Sequence, residues 1–182
     1  MYKTYLCIDL KSFYASVECV EQGLDPFEVN LVVADPTRGG GAITLAASPA
    51  IKKLGVSSRG RIFEIDPKIE YMITPPRMHL YMEYSCKVYK VFLEFIAKED
   101  IHVYSIDESF LDVTSYLKLY QVNAKELAKK MLDRIYEKTG LTATVGIGTN
   151  LYLAKIAMDI SAKHNADRMA YLNEDLYRQT LW

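Results

Sequence analysis

Ser105-Ile106-Asp107-Glu108-Ser109-Phe110-Leu111-Asp112 decides how the rest of the chain is read. Before it, Ile101, Val103 and Ser105 alternate with polar neighbours; after it come Phe110, Leu111 and Val113. A period of two with β-branched and aromatic residues predicts two strands joined as a hairpin. The turn between them presents adjacent carboxylates, Asp107 and Glu108. Like charges side by side raise each other's pKa, a cost that a divalent cation removes. Read alone, the segment is equally an ordinary acidic β-turn, and a partner carboxylate elsewhere must decide.

That partner lies near the N-terminus. Tyr5-Leu6-Cys7-Ile8-Asp9 is a short apolar run ending in an aspartate, followed by Leu10-Lys11-Ser12-Phe13-Tyr14-Ala15-Ser16-Val17-Glu18. A buried strand that delivers Asp9 into a loop before a helix is one way to hold a metal ligand; a cap or turn residue is the other reading. Ser12 is the expected N-cap, with Phe13, Val17 and Val20 at helical spacing.

Composition narrows the class. The 182 residues are half hydrophobic and a quarter charged, with a net charge of −1, an ordinary globular composition for one domain or one and a half. Near-neutral charge argues against strong nucleic-acid binding by this piece alone. Cys7, Cys19 and Cys86 have neither zinc nor disulfide spacing, which fits a reducing cytoplasm. No apolar run approaches the roughly 20 residues that span a bilayer. The start, Met1-Tyr2-Lys3, has no signal-peptide pattern, so a soluble, cytoplasmic protein without membrane contact is expected.

Along the chain, the patterns predict a strand over 3–9, a helix over 12–22 stopped by Gly23, and a strand over 31–34. Asp35-Pro36-Thr37-Arg38-Gly39-Gly40-Gly41 is turn-rich, its three successive glycines suggesting a flexible tip or close backbone approach, and a strand over 42–46 follows. Ser48-Pro49 opens a short helix ending at Gly55. Lys52, Lys53, Arg59 and Arg61 form a basic cluster or a solvated face. Pro67, Pro75 and Pro76 mark turns before a long helix from Met78 to about Lys98, with Leu80, Tyr84, Val88, Val91, Phe92 and Phe95 on one stripe. His79 and His102 are read as lone histidines without an acidic companion. After the hairpin come an amphipathic helix over 123–139, stopped by Gly140, and a strand over 142–147 whose glycines permit close backbone approach. A helix from Asn150 to about Ala162 carries Lys155 and Asp159, the latter read as a surface charge. A strand over 168–171 and a helix over 174–178 complete the pattern. This order around a mixed sheet is an α+β, ferredoxin-like arrangement.

Three segments together resemble the catalytic signature of Y-family, translesion DNA polymerases: Asp9 to Glu18, Ser105 to Phe110, and Thr144-Val145-Gly146-Ile147-Gly148 leading through Asn150 to Leu153-Ala154-Lys155-Ile156-Ala157. The stretches Asp35–Thr44 and Ser48–Val56 are most similar to the UmuC/ImpB branch. The resemblance implies a palm over 1–25 and 77–182, with a small α/β fingers subdomain inserted over 26–76. It implies an enzyme, a DNA-directed DNA polymerase of SOS-type damage tolerance and repair, that uses two Mg²⁺ ions, or Mn²⁺ in their place. Asp9, Asp107 and Glu108 are the expected catalytic ligands, assisted by the Leu10 backbone carbonyl. Tyr14 matches the steric gate against a ribose 2′-hydroxyl, with Phe13 packed behind it. Lys52 stands where relatives place a triphosphate-binding Arg, and lacks its bidentate geometry; Pro49 stands in place of a triphosphate-binding Tyr. Lys163 corresponds to a further triphosphate contact, one residue beyond the usual spacing.

The expected partners are primer-template DNA and a dNTP, with a sliding clamp engaged through C-terminal sequence. Nothing here matches the family's helix-hairpin-helix thumb or C-terminal DNA-gripping domain. The chain is therefore expected to be a palm and fingers fragment, weak or inactive alone. Two rivals remain: a palm-fold nucleotidyl cyclase, disfavoured because Ser-Ile-Asp-Glu-Ser lacks a GG[DE] hairpin, and a non-catalytic repair module with a vestigial palm.

Overall fold

The computed structural model describes residues 3–181; Met1, Tyr2 and Trp182, with the reading of the extreme N-terminus, lie outside the described residues. The chain forms two compact units. One holds the described residues up to Leu10 and those from Ser85 onward; the other holds Lys11–Tyr84.

The first unit is built on a mixed five-stranded sheet. Its strands are β1 (Tyr5–Leu10), β5 (Ile101–Val103), β6 (Glu108–Asp112), β7 (Ala143–Gly148) and β8 (Met169–Leu172), in the order β5-β6-β1-β7-β8. β1 runs antiparallel to both neighbours, and β8 is parallel to β7. With the first strand between the third and fourth of this unit, the order is the ferredoxin-like one plus an added parallel edge, the α+β fold expected. Leu6, Cys7 and Ile8 are buried, as is every residue of β7, because a central strand covered on both faces reads as a continuous apolar run.

Around this sheet lie α4 (Thr114–Tyr120), α5 (Ala124–Thr139), α6 (Leu151–Ile156) and α7 (Glu174–Thr180). α5 begins where the sequence places it. The Asn123 side chain accepts from the Glu126 amide at 2.9 Å, and Glu126 accepts from the Asn123 amide at 2.8 Å, a reciprocal cap. Leu127, Ala128, Met131, Leu132 and Ile135 form its buried stripe, and Gly140 ends it at φ 69°.

Gly146 and Gly148 explain how α6 reaches the sheet. A Cβ on Gly146 would lie 1.9 Å from the Ala154 carbonyl oxygen, and one on Gly148 would lie 2.2 Å from the Ala154 amide nitrogen. The bare strand surface lets backbone rest on backbone.

The second unit has a three-stranded sheet, β3-β2-β4, from β2 (Leu31–Val33), β3 (Ala46–Ala47) and β4 (Met72–Thr74). Alternation along β2 splits its core. Leu31 and Val33 pack with Ala15 and Cys19 of α1 (Phe13–Glu21), while Val32 packs with Ala47, Ile51 and Ile65 beside α2 (Pro49–Lys53). α3 (Met78–Leu93) has its first turns in this unit and the remainder in the other.

Several local expectations are corrected. Ser12 stands before α1 in the left-handed region, φ 50°, and its side chain does not cap the helix; its hydroxyl instead accepts from Lys52 at 2.9 Å. The predicted strand over 42–46 is confined to Ala46–Ala47, because residues 42–44 bond to Gly60 and Ile62 in an irregular pairing. The glycine-rich tip is a 3₁₀ segment, Pro36–Gly41, capped by Asp35. α3 ends at Leu93, where tightened i→i−3 bonds from the Glu94 amide to Val91 and from the Phe95 amide to Phe92 break the α ladder. His79 does have an acidic companion: Glu83, one turn on, lies 3.1 Å away. β4 and α4 were not foreseen.

Candidate active site

The acidic hairpin and β1 converge through sheet register. Asp9 sits directly opposite Glu108, and the Leu10 amide donates to the Asp107 carbonyl at 2.9 Å. Opposed residues on antiparallel strands lie about 4.5–5.5 Å apart, so pairing alone gathers Asp9, Asp107 and Glu108 at one end of the two strands. On its other side Asp9 opposes Thr144 of β7. The turn over 104–107 is closed by the Tyr104 and Ser105 amides donating to the Glu108 carbonyl, each at 3.0 Å. The Ser105 hydroxyl donates to the Asp107 carboxylate at 2.8 Å.

The electrostatics are those of crowded anions with internal counter-ions. Burial pushes the Asp9 carboxyl up to about 6; Lys163 opposes that rise, while Asp107 and Glu108 add to it. Glu108 is 7% exposed. The Lys155 ammonium lies 2.7 Å from its carboxylate, and the Cys7 thiol donates to it at 3.2 Å. Burial and the neighbouring Glu108 anion drive the Cys7 thiol far above its ordinary range, so it stays a neutral donor.

Lys155 also lies 3.2 Å from Asp159, and Lys163 lies 2.7 Å from Asp159 and 3.9 Å from Asp9. Burial alone would lower the Lys155 pKa, but Glu108 and Asp159 outweigh it and hold the ammonium charged. Burial likewise favours the neutral Asp159 carboxyl, and Lys163 with Lys155 reverses this.

Among the described residues, no three His, Cys, Asp or Glu side chains stand close enough together to hold a metal ion. The donor chemistry nevertheless fits a hard cation. The donors are carboxylate oxygens at one strand end, where burial first, and Asp107 and Glu108 after it, raise Asp9, and Mg²⁺ takes such ligands while keeping water or phosphate. In this conformation the Glu108 carboxylate is turned to Lys155.

Phe13, Tyr14 and Lys52 belong to the other unit. Phe13 is buried and Tyr14 half-buried, with ring centroids 5.6 Å apart. Lys52 donates to Ser12, as above.

Comparison with known proteins places this arrangement. The impB/mucB/samB family model matches residues 8–159. The chain belongs to the impB/mucB/samB family. UvrX of Bacillus subtilis (strain 168) is 39% identical over 183 residues, covering 99% of this chain and 42% of UvrX. DNA polymerase IV 2 of the same organism is 36% identical over 181 residues, covering 99% of this chain and 43% of that protein. Among solved structures, DinB from Sulfolobus solfataricus superposes with a TM-score of 0.79 at 28% identity, over 97% of this chain and 50% of DinB. The chain thus spans half the length, or less, of these three relatives.

Within the impB/mucB/samB match fall Asp9, Leu10, Phe13, Tyr14, Lys52, Asp107 and Glu108; Lys163 lies four residues beyond it. Ala157–Ser161 is a π-helical turn, and Ala162–His164 a 3₁₀ turn. A π turn closes on i→i+5 bonds and absorbs one residue without ending the helix. Lys155 and Asp159 are the charged neighbours of these acids that sequence reading missed. Their spacing to one another and to Lys163, four residues each, was visible, but nothing in the sequence says that this helix faces the acids.

Proposed function

We propose that this chain supplies the nucleotidyl-transfer centre of a Y-family DNA polymerase acting in translesion synthesis and repair, within an SOS-type response. The observation that carries this reading is the Asp9–Glu108 register pair with Asp107 at the adjoining turn, three carboxylates gathered by backbone pairing alone. In this reading the palm comprises 1–25 and 77–182, the fingers 26–76, and the protein works in the cytoplasm on primer-template DNA and a dNTP. Duplex grip and any sliding-clamp contact belong to sequence outside this chain, which alone extends a primer weakly or not at all.

Asp9, Asp107, Glu108 and the Leu10 carbonyl would hold two Mg²⁺ ions, or Mn²⁺. When bound, such a pair activates the primer 3′-hydroxyl and neutralises charge on the departing pyrophosphate. The chain's own groups do the rest. Lys163 and Lys52 would offer ammonium charge to the triphosphate, Lys155 compensates Glu108, and Tyr14 would exclude a ribose 2′-hydroxyl. Placement and charge neutralisation dominate phosphoryl chemistry, which suits a carboxylate and lysine cluster.

The test is calorimetric titration of dATP with Mg²⁺ into this chain and into its Asp9→Ala/Asp107→Ala double variant. Metal-dependent binding that disappears in the double variant is the expected result. Equal binding by both proteins would sink the assignment of these acids.

A further inference from the structure

Tyr14 does not stand alone. Its ring lies almost parallel to that of Tyr81, with centroids 4.4 Å apart and planes 16° from parallel. Phe13 closes the cluster, 6.3 Å from Tyr81 and steeply inclined to it. Tyr81 is completely buried, and its hydroxyl donates to Glu18 at 2.7 Å. Glu18 is itself completely buried and accepts from the Arg77 Nε at 3.1 Å on each carboxylate oxygen, with Nη2 adding a third contact. All these residues lie within Lys11–Tyr84.

Two four-residue spacings build the arrangement. Tyr14 and Glu18 are one turn apart on α1; Arg77 and Tyr81 are one turn apart at the start of α3. Residues so spaced share a helix face, so the anion that anchors Tyr81 stands one turn along from the ring that Tyr81 supports. Burial first, and the Glu18 anion after it, hold the Tyr81 phenol well above its ordinary pKa, a permanent donor.

A tyrosine ring has two soft torsions, and a hydroxyl tied to a fully buried, Arg-clamped carboxylate removes most of that freedom. Excluding one hydroxyl group by steric contact requires that the excluding ring cannot lean away. A pocket that merely touches an added hydroxyl discriminates weakly, since soft walls yield.

We infer that Tyr81, locked by Glu18 and Arg77, is a positioning residue for sugar selection: it backs Tyr14 and fixes the wall that a ribose 2′-hydroxyl would strike. This rests on the steric-gate reading of Tyr14 given above. Tyr84 supplies an internal control. Its hydroxyl donates to Glu21 at 2.7 Å, joining the same two helices by the same chemistry three residues on from Tyr81.

The experiment compares the unmodified chain with Tyr81→Phe and Tyr84→Phe. Binding of Mg-dATP and Mg-ATP is measured for each, together with the ring-flip rate of Tyr14 by aromatic ¹³C relaxation. In Tyr81→Phe the dATP preference is expected to fall about three- to tenfold, mainly through tighter ATP binding, as the loss of one charge-assisted hydrogen bond allows. The Tyr14 ring should flip faster. In Tyr84→Phe both quantities should stay at the unmodified values, although thermal stability falls in both variants. Unchanged preference and ring dynamics in Tyr81→Phe, or equal changes in Tyr84→Phe, would overturn the positioning role while leaving the polymerase reading intact. Absence of any dATP preference in the unmodified chain would overturn both.

Discussion

Replacing Gly146 by Ala tests whether the lysine-bearing helix is held in place by backbone contact. The new Cβ would lie 1.9 Å from the Ala154 carbonyl oxygen, 2.4 Å from the Met158 amide nitrogen and 2.7 Å from the Met158 Cβ. Two of the three obstacles are main-chain atoms, so no rotamer change relieves them; the helix must withdraw by more than about 1 Å to restore van der Waals contact. Overpacking of this kind costs about 1–3 kcal/mol, more where backbone must move. Ala154 and Met158, both fully buried, would lose packing as well. Removing a glycine from the unfolded chain returns about 0.4–1 kcal/mol. The net expectation is a loss of about 2–3 kcal/mol, or a fall in melting temperature of about 4–12 °C for a chain of this size. Gly41 provides the comparison, since a Cβ there meets nothing within 4 Å, and Gly41→Ala should not lower stability and should raise it by up to about 1 kcal/mol. Thermal and urea unfolding followed by circular dichroism would measure both. A Gly146→Ala protein that melts within about 1 °C of the original would refute the close-contact reasoning.

Two further perturbations probe charge. Lys155→Met strands the Glu108 carboxylate beside the Cys7 thiol. Breaking a buried pair costs about 3–5 kcal/mol, and the Lys155 side chain is 30% exposed, so a loss of about 1–3 kcal/mol is expected in urea unfolding. Adding Glu108→Gln should recover part of it, and an unaffected Lys155→Met protein would show that Lys155 is not the counter-ion. At the C-terminal end of β6, burial tends to raise the Asp112 carboxyl, but the Thr114 hydroxyl and amide, with Lys3, bring it below its ordinary 3.8. A folded pKa below the unfolded one stabilises the protein above the unfolded value, and that contribution disappears as pH falls through the folded pKa. Asp112→Asn should therefore lose about 1 kcal/mol at pH 7 and flatten the decline in stability below about pH 4; equal acid sensitivity in both proteins would count against it.

Much of the palm-like sheet was legible because its strands carry their own signals. Apolar runs at Leu6–Ile8 and Val145–Ile147 and the alternation around Asp107 gave the strands. Asn123 and Gly140 bracketed a helix through cap chemistry that is local to the chain. Short or polar pieces were not legible: β4 has exposed Met72 and Ile73 and is defined by its partner β2 rather than by its pattern. Ser12 misled because its hydroxyl had a competing acceptor role toward Lys52, forty positions away. The acids of the candidate site could be named from sequence, since turn and strand end are local features. The ammonium groups beside them could not, because a four-residue repeat of Lys155, Asp159 and Lys163 reads equally well as a solvated face. Only the glycine-bared strand beneath it fixes which way that repeat points.

The Glu18–Arg77 clamp joins positions 59 residues apart, and so makes the intervening polypeptide a closed circuit whose two ends are fixed independently of what lies between. Loop-closure entropy grows only logarithmically, by about 0.6 kcal/mol for each doubling of length. Once the ends are fastened, residues can be added to or removed from the exposed Pro36–Gly41 bend at small thermodynamic cost. Polypeptide length in that bend is therefore a nearly free variable for design. Hybrids that exchange the whole circuit between relatives should keep their stability when Glu18, Arg77 and Tyr81 travel together, and lose it when the junction separates them.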